Sequence, residues 1–490
     1  MSNKLFTSFD EAVADIPDGS VIGIESWGIA ATAQNLIAAI KRKGVKDLTV
    51  VTHNFVPLPI FTEDEATMPT AILPQLKKLI TPVLGVQRLG AGAFVKEYVE
   101  RGLEVELTSH GTLASRLYAG AANLGGFYNP VGVGTVLEQG KESRLINDRQ
   151  YLFEEPIKLD YAFIRGHRAD KLGNLIYQGI YRADQPVMAM AAGVTIAEVD
   201  EIVEVGAIDP EHVVTPGIFV DRILSIPEDG LGTPRKWKKL IYRLGEIEIA
   251  RQMLFRTPEF DRSEPAATVT KLRLDADIIA MRAAKELRPG DYANLGFGIP
   301  NLCALYIPEG VIFHSENGAL AYGPLITEDE IEEADWHYVA AGGRFFHPVP
   351  GMSVFDVVTS FAMIRSGRLI SIMGALEVSE RGDLANWNAG GDALGGTIGG
   401  GMDLAVGARK VIITMEHITK NGKPKVVSEC TYPLTAKQCV DLIVTDVAVI
   451  KVNGEGLLLR EMAPGWTAED VQAVTGAKLH LAPDLKEIEL

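Results

Sequence analysis

The segment richest in reactive groups is Gly310–Gly318, read Gly-Val-Ile-Phe-His-Ser-Glu-Asn-Gly. Val311 to Phe313 predicts a buried strand that runs straight into His314-Ser315-Glu316-Asn317-Gly318. In α/β sheets, ligands bind just beyond the carboxyl ends of the strands. Glu316 is then a carboxylate at that edge, with Gly318 free to take a sharp turn. A carboxylate so placed can act as a nucleophile. The plainer reading of Ser-Glu-Asn-Gly is a polar turn. A hydrolytic Ser–His pair at 314–315 is disfavoured, because neighbours in a strand point to opposite faces.

Three Gly-rich stretches could serve the same site. They are Asn294-Leu295-Gly296-Phe297-Gly298-Ile299-Pro300, Gly395–Gly401 with the Met402-Asp403-Leu404 that follows, and Ser109-His110-Gly111-Thr112-Leu113. Accessible backbone N–H groups in such loops cradle phosphates or a developing oxyanion. Tight strand-to-helix packing is the structural alternative. None matches a dinucleotide fingerprint, and no P-loop is present. The nine histidines show no metal-ligand spacing, so no metal is expected. Three cysteines in 490 residues make no disulfide framework and suit a reducing compartment.

The elements that must carry these loops alternate helix and strand. Ser8 through Ile16 predicts a helix with Ser8 as its N-cap. Ser20–Ile24 predicts a short buried strand after an Asp18-Gly19 turn. Gln34–Lys43 predicts an amphipathic helix ended near Gly44, and Asp47–Thr52 a second strand. This rhythm argues for helices layered on a mostly parallel sheet. Residues 251–270, with two prolines, mixed charge and little periodicity, read as a linker.

After that linker the pattern restarts. Ile16–Leu36 resembles Leu287–Leu305: a Gly turn, an apolar strand, a Gly loop, then Asn-Leu opening a helix. Tyr161–Leu175 resembles Leu369–Leu384, and Ala191–Glu204 resembles Gly407–Lys420. Matches in the same order predict two related α/β lobes, 1–250 and 271–490, the second carrying Glu316. A length of 490 residues is in any case too long for one core. The formal charge of −17 demotes nucleic acid as a partner. No run of 18 apolar residues suggests a membrane span. The opening residues carry acids early and lack an apolar signal core, so a cytoplasmic location is expected.

Phe313-His314-Ser315-Glu316-Asn317-Gly318 resembles the active-site signature of class I CoA-transferases. The resemblance covers nearly the whole chain, in the order alpha half then beta half, and is strongest to the fused succinyl-CoA:3-oxoacid type. It is carried also by Val105-Glu106-Leu107-Thr108, His110-Gly111-Thr112-Leu113, Tyr292-Ala293-Asn294-Leu295-Gly296 and Phe361-Ala362-Met363-Ile364-Arg365. Gly382–Trp387, Gly399–Leu404, Thr414–His417 and Pro433-Leu434-Thr435 complete it.

The resemblance implies ping-pong transfer of CoA from an acyl-CoA, succinyl- or acetyl-, to a carboxylic acid such as a 3-oxoacid, through a glutamyl-CoA thioester on Glu316. It implies CoA esters as substrates rather than a permanently bound cofactor, and a homodimer or homotetramer. Acyl-CoA hydrolysis on the same scaffold, a different acceptor acid, and a non-catalytic relative are the alternatives. By position, Asn294, Gly296, Gly298, Gly399 and Gly400 fall around the nucleophile as CoA or oxyanion contacts. A polyanionic CoA on an acidic chain calls for local cations. Arg344, Lys420, Lys423 and Lys425 are candidates, whereas Lys236, Lys238 and Lys239 read as a solvated face.

The departures fall on the acid side. A Gly-Gly-Phe-Gly loop ending in Gly-Ile-Pro is usual; here stand Glu25-Ser26-Trp27-Gly28, then Ala31-Thr32-Ala33. His53-Asn54 replaces an Asn-Asn pair, and His110 replaces a glutamine before Gly-Thr-Leu. Glu25, Trp27, Gly28, His53, Asn54 and His110 are therefore expected to line a reshaped acyl pocket. Its two histidines are able to hold a carboxylate or hydroxyl; the alternative is that they only pack beside the loops.

Overall fold

The computed structural model describes residues 3–28, 31–55, 69–84, 93–228, 230–247, 251, 254, 271–390 and 396–490. The expected linker at 251–270 lies outside the described residues, apart from Arg251 and Leu254, and Gly395 lies outside them too.

The first lobe is built on β1 (Val21–Ile24), β2 (Leu48–Thr52), β3 (Leu76–Thr81), β4 (Glu104–Leu107), β5 (Leu159–Asp170), β6 (Ala192–Val203) and β7 (Arg222–Ser225). They lie in the order β7-β6-β5-β1-β2-β3-β4 and all run parallel. The second lobe contains β8 (Tyr292–Leu295), β9 (Ile312–Ser315), β10 (Ala319–Leu320), β11 (Ser353–Val354) and β12 (Leu369–Met373). It continues through β13 (Lys410–Met415), β14 (Leu442–Thr445), β15 (Ala448–Asn453), β16 (Gly456–Met462) and β17 (Leu479–Glu487). The order is β11-β10-β9-β8-β12-β13-β14-β15-β16-β17, with β9-β8-β12-β13-β14 parallel. The central strands β12 and β14 are buried at every residue, as expected of a parallel sheet covered on both faces.

The internal resemblances fall on corresponding strands. β1 matches β8, β5 matches β12 and β6 matches β13, so the order β6-β5-β1-β2 repeats as β13-β12-β8-β9. By that correspondence β2 is the counterpart of β9. His53 follows β2 as Glu316 follows β9.

Six helices matter for the site: α1 (Phe9–Ala12), α2 (Gln34–Lys43), α3 (His110–Ala121), α4 (Gln185–Ala191), α5 (Val357–Arg365) and α6 (Gly401–Gly407). Ser8 caps α1 by accepting from Glu11 N–H. That helix is shorter than its expected end at Ile16, because Val13 leaves helical geometry at φ −109°, ψ 3°. α2 ends where expected, with Gly44 at φ 73° closing it in the left-handed region that glycine tolerates. β9 runs two residues beyond the expected strand, to Ser315. The lobes share a core: Trp27, Ala114 and Ala183 pack in one buried cluster with Val357, Phe361 and Ile364.

Candidate active site

Glu316 follows β9, and Trp27, His53 and His110, which follow β1, β2 and β4, cluster beside it. β9 delivers it through the Ser315–Gly318 turn, closed by Gly318 N–H donating to Ser315 O at 3.0 Å. Gly318 sits at φ 108°, and a side chain there would lie 2.0 Å from Phe355 O, so the position requires glycine. The neighbours of Glu316 are braced. Ser315 Oγ donates to Asn317 Oδ1 (2.6 Å) and accepts from Ala341 N–H (2.8 Å), and Asn317 Nδ2 donates to Val339 O (2.7 Å). His314 points to the other face, as strand alternation requires. Its Nδ1 accepts from Asn294 Nδ2 at 3.1 Å and its Nε2 bonds Ser360 Oγ at 3.1 Å. Burial lowers the His314 pKa to about 4, consistent with a neutral ring.

Asn294 is thus placed beside the site, but its amide donates to His314 Nδ1 and, at 3.3 Å, to His314 O. These contacts tie β8 to β9 beside Glu316, where Asn294 was expected as an oxyanion or CoA contact. Gly400 does lie against the nucleophile candidate: a Cβ there would fall 1.8 Å from Glu316 Oε2. Gly399, at φ 55°, accepts His110 N–H on its carbonyl at 3.0 Å. Gly296 donates to Ile372 O (2.8 Å), and Gly298 opens the turn into Ile299–Leu302 at φ 83°. Arg344, expected as a cation for CoA, is 3% exposed. Lys420 and Lys423 are exposed on the turn before Val426–Val427, and burial pulls Lys425 down to about 8.

The first lobe contributes a buried polar cluster. α3 begins at His110, behind the N-cap Ser109, and brings His110 Nδ1 to 3.5 Å from Glu316 Oε1. Trp27 and His53 stack with ring centroids 4.8 Å apart, and His53 stacks on His110 at 4.8 Å. Trp27 closes the triangle against His110 at 4.3 Å. Both oxygens of Glu25 accept backbone N–H groups, from Trp27 (2.6 Å) and Asp184 (2.8 Å). Glu25 therefore shapes the expected acyl pocket from behind, because its oxygens are spent on the backbone. Asn54 ties the loops after β1 and β2, its N–H donating to Ser26 Oγ at 2.9 Å. Gly28, in the first of those loops, sits at φ 102°.

Asp184 was not visible as a site residue in the sequence. It precedes α4 and reads there as an N-cap, yet its side chain makes no capping bond. The carboxylate turns instead to His53, Oδ2 lying 2.5 Å from Nε2, with both side chains fully buried. Burial raises Asp184 to about 8, and burial with the neighbouring Asp184 charge raises Glu25 to about 7. Burial and then His110 lower His53 to about 3. The cluster cannot carry all its charges at once in so dry a place.

A second device joins the lobes. Asp403, fully buried on α6, accepts Gly111 N–H at 3.1 Å and is held by Arg365 Nε (2.9 Å) and Nη2 (2.5 Å). Arg365 also donates to Ser115 Oγ at 2.9 Å. The start of α3, and His110 with it, is thereby fixed by the opposite lobe. Both residues lay in motifs that carried the resemblance, but nothing in their spacing announced the pairing. Among the described residues no group of three or more His, Cys, Asp or Glu is placed to hold a metal, and no helix is long and apolar enough to cross a membrane.

Comparison with known proteins bears on this arrangement. The family described as Coenzyme A transferase matches residues 6–225 and 276–473. The mouse mitochondrial succinyl-CoA:3-ketoacid coenzyme A transferase 2A is 36% identical over 511 residues, covering 100% of this chain and 92% of that protein. One of the 3-oxoadipate CoA-transferase chains of Acinetobacter baylyi is 44% identical over 210 residues, 42% of this chain and 95% of that one. An acyl-CoA transferase from Escherichia coli O157:H7, solved as a thioester complex with CoA, shares the fold. Its TM-score is 0.71 at 20% identity, over 99% of this chain and 95% of that one. The expected cytoplasmic location is overturned: relatives that match over the full length, from mouse and human, are mitochondrial proteins.

Proposed function

This chain belongs to the coenzyme A transferase family and is an enzyme that moves CoA between carboxylic acids, and from that premise we propose that Glu316 is its nucleophile. The observation that supports this is the bare face of Gly400 lying against Glu316 Oε2, a buried oxygen with no hydrogen-bond partner. An unpaired carboxylate oxygen in a tight glycine-walled cleft is costly to keep and ready to react.

The proposed steps balance without a proton or ATP. A Glu316 oxygen attacks the thioester carbonyl, the C–S bond breaks, and CoA thiolate leaves a mixed acyl-glutamyl anhydride. The thiolate attacks the glutamyl carbonyl, the anhydride C–O bond breaks, and the first acid departs as its carboxylate. A second carboxylate then runs the sequence backward and leaves with CoA. Each thioester is exchanged for another, so the protein's task is to stabilise two oxyanions and keep water out. Backbone groups of Gly399 and Gly400 are the proposed oxyanion contacts, with Gly296 and Gly298 lining the CoA side and Lys423 at its exposed margin. His110 Nδ1 flanks Glu316 Oε1 at 3.5 Å. The donor read from the relatives is succinyl-CoA, with acetyl-CoA as a second, and a 3-oxoacid is the acceptor. Residues 1–250 and 271–490 act as the two units, joined through 251–270, in a homo-oligomer.

Incubation with succinyl-CoA and a labelled acid tests the reading. Label is expected to enter acyl-CoA without release of free thiol, and Glu316→Gln is expected to lose at least about 10³-fold in kcat. Thiol release with no acid-dependent exchange would mark a hydrolase instead.

A further inference from the structure

A second set of buried polar atoms, which the transfer chemistry does not use, is left without hydrogen bonds. Arg165 Nη1, Tyr181 OH, Thr233 Oγ1 and Trp237 Nε1 are all buried and unpaired. Arg165 lies on β5, Tyr181 in the turn Gly179–Arg182, and Thr233 is the N-cap of the helix Pro234–Gly245 that contains Trp237. They gather around one indole. The Arg165 guanidinium lies 5.1 Å over the Trp237 ring, and the Tyr181 ring stands 6.2 Å from it. Gly232 faces the same ring, a Cβ there falling 3.8 Å from Trp237 Nε1. The cluster is made of donors: Trp and Arg side chains only donate, and each hydroxyl carries a hydrogen. Burial, then the Asp335 charge, raises the Tyr181 pKa well above the usual tyrosine range, so its hydrogen stays. Buried donors are normally satisfied, so this concentration calls for an acceptor. We propose that Arg165, Tyr181, Thr233 and Trp237 form a binding site for a small inorganic monoanion of the halide class, held between the two lobes.

The acids nearby are spent on other partners. Asp200 takes Arg165 Nη2 on Oδ1 (2.6 Å) and faces His167 Nδ1 with Oδ2 (3.0 Å). Glu198 accepts from Asn35 and Leu36 at the start of α2, and Asp335 accepts His337 N–H at 2.9 Å. Arg165 Nη2 donates also to Gly232 O at 3.1 Å, so both its hydrogens are used. Nη1 is left to act alone, which rules out the two-pronged grip on a carboxylate and suits a single-atom acceptor. Thr233 makes no side-chain cap bond, so its hydroxyl is free to turn to that acceptor at the positive end of the helix.

The site lies where the lobes join. Trp336 Nε1 donates to Trp237 O at 3.2 Å, and Lys238 Nζ to Ala334 O at 3.3 Å. The His337 ring packs on Tyr181 at 5.1 Å and on Trp237 at 5.8 Å. The same stretch of the second lobe braces the Glu316 turn through Val339 O and Ala341 N–H. A bound anion would therefore tighten the joint behind the turn. The inference does not depend on which ester or acid is used at Glu316.

The test uses the full enzyme, with bromide as the probe. Crystals soaked in bromide are expected to show anomalous density within hydrogen-bond distance of Trp237 Nε1 and Arg165 Nη1. In solution the wild-type Tm is expected to rise saturably, by at least about 2 °C, in potassium bromide over potassium gluconate of equal ionic strength. The double variant Tyr181→Phe, Trp237→Phe keeps both rings but loses two donors, and its half-saturating bromide concentration should rise at least about tenfold. A water molecule at the site in place of bromide would overturn the proposal, as would equal Tm in the two salts. So would a bromide peak with no change in Tm, which marks an adventitious ion only, or a Tm rise in acetate that bromide does not give, which marks a carboxylate site. The wild-type measurements need no variant to fold.

Discussion

At the scale of single residues, the site depends on what is missing as much as on what is present. Gly400 carries no side chain where a methyl would fall 1.8 Å from Glu316 Oε2. Gly400→Ala is therefore expected to keep the fold and lower kcat about 10²-fold, since displacement of a reacting group by about 1 Å costs that much. Normal turnover in that variant would show the cleft to be looser than described. Glu316 stood out in the sequence through the likeness of Phe313–Gly318 to a family signature, since a Ser-Glu-Asn-Gly after a buried strand reads by itself as a polar turn. Asp184 did not, because an aspartate before Gln-Pro is explained well enough as a helix cap. Only the path of the chain shows its carboxylate turned to His53.

Titration of the same cluster gives a second residue-scale expectation. Asp184 ordinarily ionises near 3.8 and in the folded chain near 8. As pH rises from about 4 to about 8 the unfolded chain has already given up this proton while the folded chain keeps it, so stability falls over that window. His53 acts in the opposite window, its contribution lost as pH drops below 6.5 toward 3. The stability of wild type minus that of Asp184→Asn should decline between pH 4 and 8 in urea unfolding. A flat difference would show that Asp184 is ionised throughout.

At the scale of elements, α3 links the two lobes at Glu316, the proposed nucleophile. Its first residue faces Glu316 and its second is held by Asp403 from the other lobe. Arg365→Met leaves the Asp403 charge buried with only Gly111 N–H and is expected to destabilise by about 3–5 kcal/mol. Adding Asp403→Asn should restore part of that loss, and unfolding of both variants checks it. Loss below about 0.5 kcal/mol would mean that the pair is in effect solvated. The strands and α2 were readable from apolar runs and a terminal glycine, because those patterns are local. The clamp was not, since its partners lie 292 residues apart in the chain and their pairing is a matter of tertiary packing.

At the scale of the whole molecule, the internal resemblance proved to be a statement about topology. The matched segments are the strands of the order β6-β5-β1-β2 and of its repeat β13-β12-β8-β9. The repeat places His53 and Glu316 at equivalent strand ends, the proposed nucleophile in one lobe and the buried polar cluster in the other. The −17 charge opposes a polyanionic substrate, and the buried Arg344 does not offset it at the surface. The proposed chemistry turns on one covalent bond, the thioester between Glu316 and CoA. Intact mass spectrometry after mixing with succinyl-CoA alone tests it. A CoA adduct that maps to Glu316 and is absent from Glu316→Gln is the expected result. No adduct on wild type, with turnover unaltered in Glu316→Gln, would contradict it.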